Sequence, residues 1–213
     1  MRDKPQLDLE LSPAINSLAD LAKAENECTR CPLHKDATQA VPGEGCRSAH
    51  VILVGEQPGD KEDLAGKPFV GPAGRVLDRA LADAGIPRSE VFVTNAVKHF
   101  KHEMRGKRRL HKRPNAYEIE RCKIWLDAER TLVKPVAIVA LGATAARSLL
   151  GRAVTIAKVR GQTLRLADGT AAFVTIHPSW LLRMEDDADK EREYKNFVAD
   201  LRPAAKVLAK KVA

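Results

Sequence analysis

Cysteine is scarce in this chain, long apolar runs are missing, and the beginning of the sequence lacks the order of a signal peptide. Only four cysteines occur among 213 residues, too few and too scattered for the disulfide framework of a small secreted domain. No segment approaches the roughly 18 apolar residues that a membrane span needs. Residues 1–10 are polar and acidic, whereas a signal peptide begins with basic and then apolar residues. We therefore expect a soluble cytoplasmic protein with no membrane partner, whose cysteines stay reduced and act as metal ligands.

Internal repeats and low-complexity segments are also absent from the sequence, so nothing marks a linker between domains. Hydrophobic residues make up 44% of the chain, enough at this length to bury one substantial core. We predict a single domain over residues 1–213, and a monomer. The sequence pI of about 9.4 favours nucleic acid over an acidic protein or a membrane surface as the partner.

Positive charge is concentrated in one short segment. Eight Lys or Arg residues and one Glu lie between Lys98 and Arg113, so this stretch carries a net +7 of the chain's formal +8. We predict an exposed basic flap loop over about residues 98–114 that meets a polyanion. Its motif Lys107-Arg108-Arg109-Leu110-His111 sets an imidazole beside phosphate-binding groups. A solvated loop without a partner, or a localisation patch, is the alternative interpretation.

Short apolar runs alternate with helical patterns along the chain. Four runs are typical of strands buried on both faces: His50–Gly55, Val91–Asn95, Val136–Leu141 and Ala171–Ile176. Helical periodicity predicts helices over Ser12–Glu27, Ala73–Ala84, Ala116–Leu132, Ala143–Leu150 and Glu191–Leu208. This alternation predicts an α/β fold of three layers, α/β/α, around a central, mostly parallel, four-stranded sheet. The stretch Leu164–Leu166, before an Asp-Gly turn, is expected to pair with the last strand as a hairpin.

Polar residues follow several of the predicted strands. In parallel α/β sheets, ligands gather at the carboxyl ends of the strands. The first, second and fourth strands lead into Gly55-Glu56-Gln57-Pro58-Gly59, into Asn95, and into His177-Pro178-Ser179. We expect these clusters to converge on one cleft. Glu56 and Asp60, four residues apart, are either a general base and its helper or turn formers only.

Familiar nucleotide-binding motifs do not fit the chain. The glycines of residues 55–59 do not match G-x-G-x-x-G. Gly66-Lys67 fails as a P-loop, because Lys61 stands at the required first glycine and Pro68 at the Ser/Thr position. A nucleotide cofactor and NTPase activity are therefore poorly supported.

Several motifs together point to a known family. They are Cys28-x-x-Cys31, Val41-Pro-Gly-Glu-Gly45, Gly55-Glu-Gln-Pro-Gly59, Gly66-Lys-Pro-Phe-Val-Gly-Pro-Ala-Gly74, Val93-Thr-Asn-Ala-Val97, Cys122 and His177-Pro-Ser179. With these motifs the chain resembles the iron–sulfur uracil-DNA glycosylases of family 4. Two departures resemble the UdgX branch: Gln57 where the family usually has Ala, and the basic insertion ending at His111. The resemblance implies an enzyme that excises uracil from DNA, releases it as the free base, and becomes covalently attached to the abasic site.

The resemblance also implies how uracil is held. An enzyme of this class acts on single strands or rotates the nucleotide out of a duplex, and we expect single-stranded DNA to be preferred. Phe69 is the implied stacking platform, or else an ordinary core phenylalanine. Asn95 offers a donor and an acceptor to the base edge, or else caps a turn. Gly55 and Ser179 are the further residues expected at the base.

Cleavage of the N-glycosidic bond leaves positive charge on the sugar and negative charge on the base. His177 suits a donor to a uracil oxygen, unless it only shapes a turn, and Glu56 or Asp60 suits an anion near C1′. By resemblance, His111 replaces the attacking water, with one neutral imidazole nitrogen bonding to C1′ and Glu56 accepting the other ring proton. Gln57 is grouped with these catalytic residues. A histidine that only contacts phosphate is the alternative for His111.

The expected DNA contacts lie on two segments. Three cations of the flap are expected to neutralise phosphates: Lys107, Arg108 and Arg109. Arg183 belongs to the segment that enters the DNA groove in the family, and Leu181 or Leu182 is expected to fill the gap left by the flipped base.

The metal site has two possible chemistries, because cysteine pairs two apart occur in both zinc and iron–sulfur centres. By resemblance we expect a [4Fe-4S] cluster with His99 as a ligand beside three cysteines, Cys28, Cys31 and Cys122. Cys46 is then free, and the alternative is that Cys46 replaces His99.

Two alternative functions stay open at this point. The first is a conventional, multiple-turnover iron–sulfur uracil-DNA glycosylase in which His111 only touches phosphate. The second is a non-catalytic, zinc-bound nucleic-acid-binding module.

Overall fold

A computed structural model describes residues 15–212, which form seven strands, seven α-helices and three short 3-10 turns. The strands are β1 Val51–Gly55, β2 Val91–Asn95, β3 His102–Arg105, β4 Arg108–His111, β5 Ala137–Leu141, β6 Leu164–Arg165 and β7 Ala171–Thr175. The helices are α1 Leu18–Asn26, α2 Asp60–Ala65, α3 Pro72–Ala84, α4 Ala116–Val133, α5 Ala143–Leu150, α6 Ile156–Val159 and α7 Asp187–Val212. The 3-10 turns are Pro32–Lys35, Arg88–Glu90 and Pro178–Arg183. None of these helices combines the length and the apolar character needed to cross a bilayer.

The central sheet has the strand order β2-β1-β5-β7-β6. The first four of these strands are parallel, and β6 pairs antiparallel with β7. The predicted α/β fold and mostly parallel sheet are confirmed. The predicted number of four strands is wrong, because the two residues of β6 add a fifth. This strand is the hairpin partner expected for the last strand.

The central strands are buried on both faces, which explains why their sequences do not alternate between apolar and polar residues. Every residue of β1, β2, β5 and β7 is buried. Residues of α3 and α7 cover one face. Residues of α4 and α5 cover the other face. The two layers of helices fix the sheet, so the loops at its carboxyl edge project from a rigid base.

Helix α1 begins later than predicted. Ser17 caps it, accepting a hydrogen bond from the backbone N–H of Asp20, and the helix starts at Leu18, not at Ser12. Residues 12–14 of the predicted helix lie outside the described residues. Helices α2 and α6 were not predicted, since six and four residues are too few for a helical period to be recognised.

The basic segment is not a simple loop. Strands β3 and β4 pair antiparallel, from His102 opposite His111 to Arg105 opposite Arg108, and Gly106 turns between them with φ 60°. We call β3, β4 and this turn the flap hairpin. Its last residue is His111, so the hairpin register decides where this imidazole lies.

Candidate active site

A cleft of about 810 Å³ opens at the carboxyl edge of the sheet. The loops after β1, β2 and β7 contribute to its walls, as expected from the sequence. The end of β5 also lines it, through Leu141, Gly142 and Ala143, which the sequence interpretation had missed. His111, at the end of β4, reaches the same cleft although it belongs to the flap hairpin.

Phe69 is held beside the cleft in an unusual backbone conformation. Its φ of 56° lies in the left-handed region, where a residue other than glycine is strained. Gly74 permits this turn, because a Cβ there would lie 1.6 Å from the carbonyl oxygen of Phe69. The side chain of Glu62 accepts hydrogen bonds from the backbone N–H groups of Gly59 and Gly71, at 2.9 and 3.1 Å. These bonds tie the first loop to the start of α3 and fix the turn that presents Phe69.

Asn95 and Phe69 approach each other closely because residue 55 is glycine. A Cβ on Gly55 would lie 2.3 Å from Asn95 Oδ1 and 2.8 Å from the ring of Phe69. Asn95 is only 3% exposed, so its side-chain amide can form hydrogen bonds only with groups that line the cleft or enter it. The ring of Phe69 is also near the ring of His177, with centroids 6.0 Å apart and planes inclined by 25°. The ring face of Phe69 and the amide donor and acceptor of Asn95 therefore lie side by side at the bottom of the cleft.

The surroundings of His177 favour a neutral imidazole and one of its two tautomers. Burial lowers its pKa to about 4, and the positive charge of Arg183, with that of His111 when it is protonated, acts in the same direction. Its Nδ1 accepts a hydrogen bond from the backbone N–H of Ser179 at 3.2 Å and lies 2.8 Å from Ser179 Oγ. Because Nδ1 accepts, the ring proton of the neutral imidazole is on Nε2. His177 thus offers an N–H donor to the cleft.

Glu56 is the carboxylate at the mouth of the cleft. Its Oε2 accepts a hydrogen bond from the hydroxyl of Thr144, a buried residue at the start of α5 that the sequence interpretation had missed. Its Oε1 lies 3.6 Å from Nε2 of His111, and Arg113 Nε lies 3.6 Å from Oε2. Partial burial lowers the pKa of His111, and Glu56 opposes this shift while Arg183 and Arg113 reinforce it. The lowered pKa favours a neutral imidazole at pH 7.

Gln57 fastens the base of the flap hairpin. Its Nε2 donates to the carbonyl oxygens of Lys101 and Lys112, at 3.1 and 3.0 Å, and its Oε1 accepts from the backbone N–H of Lys101 at 3.3 Å. Lys101 immediately precedes β3, and Lys112 immediately follows β4. The side-chain amide is therefore fully engaged with the flap, and this geometry favours a positioning role for Gln57 through the hairpin that carries His111.

Arg109 makes a second attachment between the flap hairpin and α2. It donates to Asp60 Oδ1 and to Asp63 Oδ2, both at 2.6 Å, and to the hydroxyl of Thr38 at 3.2 Å. Asp63 is fully buried, and only 18% of the Arg109 side chain is exposed. Asp60 was expected near the reacting sugar and Arg109 on a phosphate, but here the two side chains bind each other. The geometry favours a positioning role for both residues.

The flap carries less exposed positive charge than its sequence suggests. Lys98 is fully buried and pairs with Glu129 at 2.7 Å, so counting it among the charges of an exposed loop was wrong. Three other cations of the segment also have acidic partners: Lys101 with Glu118, Lys112 with Glu103 and Arg113 with Glu56. Among the described residues, no ion pair involves Arg105, Lys107 or Arg108 near the turn. Phosphate binding by Lys107 and Arg108 stays a prediction.

The segment after β7 places its two leucines differently. Leu181 is 2% exposed and packs in the core, whereas Leu182 is 42% exposed and lines the cleft. Of the two leucines predicted to fill the gap in the DNA, only Leu182 is therefore accessible. Arg183 is exposed and donates to the hydroxyl of Ser179 at 3.2 Å.

Three cysteines lie together in an apolar layer away from the cleft. Cys28, Cys31 and Cys122 belong to the cluster of side chains between α1 and α4. The backbone N–H of Lys98 donates to Cys122 Sγ, and Trp125 Nε1 donates to Cys28 Sγ, both at 3.2 Å. Such N–H···S bonds stabilise thiolates bound to iron. Burial raises the pKa of Cys122 to about 12, so a bound metal would have to stabilise its thiolate.

The surroundings of His99 and Cys46 differ. His99 is 4% exposed and directly follows Lys98, whose N–H contacts Cys122. Cys46 is exposed, and its thiol contacts Ser48. Within residues 15–212, no three His, Cys, Asp or Glu side chains converge as ligands of a single ion. Zinc and iron–sulfur chemistry both stay open for these residues, and the cluster stays a prediction.

Comparison of the sequence with known proteins identifies the family of the chain. Residues 42–202 match the family described as Uracil DNA glycosylase superfamily. The chain is 38% identical over 186 residues to a type-4 uracil-DNA glycosylase of Thermotoga maritima, covering 87% of this chain and 91% of that protein. It is 39% identical over 176 residues to the type-4 uracil-DNA glycosylase of Pyrobaculum aerophilum, covering 79% and 85% respectively. The resemblance to family 4 is confirmed, the UdgX branch stays a prediction, and the chain belongs to the uracil DNA glycosylase superfamily.

Proposed function

We propose that this protein excises uracil from DNA, preferably single-stranded DNA, and then becomes linked to the abasic site through His111. Excision is supported by the family and by the similarity of the chain to type-4 uracil-DNA glycosylases. The covalent step is the finer part of the proposal. It is carried by one observation: the imidazole of His111 lies 3.6 Å from Glu56, inside the cleft, on a hairpin fastened at two places.

Recognition of uracil follows from the groups at the bottom of the cleft. Phe69 offers a ring face for stacking, and Asn95 offers one donor and one acceptor to the base edge. Uracil presents a complementary acceptor and donor, whereas cytosine has its exocyclic amine at that edge. Gly55 keeps the space between these two side chains open, since a Cβ would collide with both.

Bond cleavage follows from the charges around the sugar. The C1′–N1 bond breaks, its electron pair leaves with the base, and the N–H at His177 Nε2 donates to a uracil oxygen that gains negative charge. Glu56 stabilises the positive charge that develops at C1′. In the covalent step, a lone pair of the neutral His111 imidazole forms the new bond to C1′, and Glu56 accepts the proton of the other ring nitrogen. The resulting protein cannot turn over again.

We further propose that Cys28, Cys31, Cys122 and His99 hold a [4Fe-4S] cluster. The burial of Cys31, Cys122 and His99 and the two N–H···S bonds, one of them from Lys98, the residue before His99, support this set. When bound, the cluster would join α1, the segment after β2 and α4. The same segment after β2 leads into the flap hairpin, so the cluster would brace the hairpin and take no part in cleavage.

A conventional glycosylase is the second candidate. In that reaction a water attacks C1′, Glu56 orients it, and His111 contacts DNA only. The observation that favours it is the exposure of His111, whose side chain is 48% accessible, together with the type-4 activity of the relatives.

Denaturing gel electrophoresis distinguishes the two candidates. The protein is incubated with a uracil-containing single strand, and a band that stays shifted after heating in denaturant reports the adduct. We expect this band for the unaltered protein and not for His111→Ser, which should instead release abasic DNA because water can enter. His102→Ser is the matched control, since His102 faces His111 across the hairpin. No shifted band with the unaltered protein, despite complete release of uracil, would leave the conventional reaction as the function.

A further inference from the structure

Trp180 is an exposed aromatic residue at the rim of the cleft. It lines the cleft and is 52% exposed, whereas Leu181, the next residue, is buried in the core. Its backbone N–H donates to the carbonyl oxygen of His177 at 2.8 Å. The 3-10 turn therefore fixes Trp180 relative to His177 while leaving a large part of the indole in contact with water.

Arg183 links the indole of Trp180 to the hydrogen bonds that orient His177. The guanidinium of Arg183 lies 5.8 Å from the centroid of the Trp180 ring, within range of a cation–π interaction. Arg183 also donates to the hydroxyl of Ser179, which contacts His177 Nδ1. The aromatic ring and the proposed donor to uracil are thus parts of one short, rigid turn.

The cleft that Trp180 lines carries cations as well as the carboxylates of Glu56, Asp60 and Glu62. Lys61, Arg113 and Arg183 are exposed and line the same cleft. Positive charge beside an exposed aromatic ring is the combination by which proteins bind single-stranded nucleic acid: the cations bind phosphates and the ring stacks on a base. Arg183, next to the indole, is the cation placed for this role. In a duplex the neighbouring base is already paired and stacked, so the same contact requires further unstacking.

We propose that Trp180 stacks on the unpaired base next to the target uracil and so gives the protein a preference for single-stranded DNA. This inference rests on the proposed activity on uracil-containing DNA. It commits to a base of the substrate strand as the partner of the exposed indole. Leu182, also exposed at the rim, stays the residue predicted to fill the gap left by the flipped base.

The test compares Trp180→Ala and Trp180→Phe with the unaltered protein. Single-turnover uracil release is measured against protein concentration, on a single strand and on the same strand annealed to its complement. Loss of one stacked base is expected to raise the half-saturating concentration on the single strand by about 5- to 150-fold for Trp180→Ala. Trp180→Phe should restore most of the affinity, and the duplex should change much less. Thermal unfolding of each variant checks that the fold is retained.

A second measurement detects stacking on Trp180 independently of uracil release. The fluorescent base 2-aminopurine is placed on either side of the uracil, and its quenching is followed on binding. We expect quenching on one side with the unaltered protein and with Trp180→Phe, and none with Trp180→Ala. Equal affinity of Trp180→Ala for the single strand, or an equal loss on both substrates, would overturn the proposal. Failure of the unaltered protein to release uracil from either substrate would instead refute the proposed function, and the quenching experiment would still test Trp180.

Discussion

The attachment of the flap hairpin by Gln57 leads to a sharp prediction about the fate of the abasic site. Replacing Gln57 by Ala removes two hydrogen bonds to carbonyl oxygens, at Lys101 and Lys112, and one weaker bond from the N–H of Lys101. Each of the two stronger bonds contributes about 0.5–1.5 kcal/mol. Their loss therefore weakens closure of the flap by about 1–3 kcal/mol, or about 5- to 150-fold in the closing equilibrium.

The expected result is a change in partition between adduct and free abasic DNA. Phe69, Asn95 and His177 do not depend on Gln57, so uracil release should stay within a few-fold of the unaltered protein. The share of abasic sites linked to the protein should fall, because His111 is no longer held at C1′ and water takes its place. Gln57→Glu should be at least as severe, since a carboxylate cannot donate to the two carbonyl oxygens and repels them.

The assay measures both products in the same single-turnover reaction. Free uracil is quantified by chromatography, and the adduct is quantified on a denaturing gel. Gln162→Ala serves as the control. Gln162 is exposed, and its side chain donates only to the backbone carbonyl oxygen of Lys158, a residue of α6. An unchanged share of adduct in a folded Gln57→Ala protein would show that the flap is held without this side chain, and the argument from the hydrogen bonds would fail.

Two further predictions concern the metal site and His177. His99→Ala should lower the iron and acid-labile sulfide content of the purified protein, whereas Cys46→Ala should not; the reverse result would make Cys46 the ligand. The pKa of His177 is lowered to about 4, against an ordinary value of 6.5. Between these pH values the folded state binds fewer protons than the unfolded state. The free energy of unfolding therefore falls as the pH is lowered from about 6.5 towards 4. His177 is therefore expected to lower the free energy of unfolding by on the order of 2 kcal/mol between pH 7 and about pH 4.5. Urea unfolding at these two pH values should show that His177→Gln loses less of its free energy of unfolding than the unaltered protein does. An equal loss in the two proteins would contradict the lowered pKa.

The sequence predicted the elements whose apolar residues either form a continuous run or recur at helical spacing. The runs of β1, β2, β5 and β7 were recognised because a parallel strand buried on both faces is a continuous apolar stretch. Helix α5 was predicted over the residues that it occupies, Ala143–Leu150. The flap hairpin was taken for a loop because its strands are charged and largely exposed, so neither apolar runs nor alternation marks them.

The site was predicted less completely, because its geometry depends on contacts between distant residues. Motifs pointed to Glu56, Phe69, Asn95 and His177, all of which line the cleft. Nothing local in the sequence pairs Arg109 with Asp63, which is 46 residues away along the chain. Thr144 was missed for the same reason, since its contact with Glu56 spans 88 residues. Charge counted along the chain also failed at Lys98, whose burial depends on carboxylates from α1 and α4.

Internal pairing of the flap's cations has a consequence for how the protein searches DNA. Affinity for ordinary strands depends on how many phosphates a surface neutralises and how many counterions it thereby releases. Here Lys98, Lys101, Arg109, Lys112 and Arg113 already face the protein's own carboxylates. These cations are therefore less available to the phosphates of undamaged DNA, and we expect the base inside the cleft to contribute more of the affinity. Under the proposed covalent reaction, in which each molecule reacts once, a weak hold on ordinary strands would leave more of the protein free for strands that contain uracil.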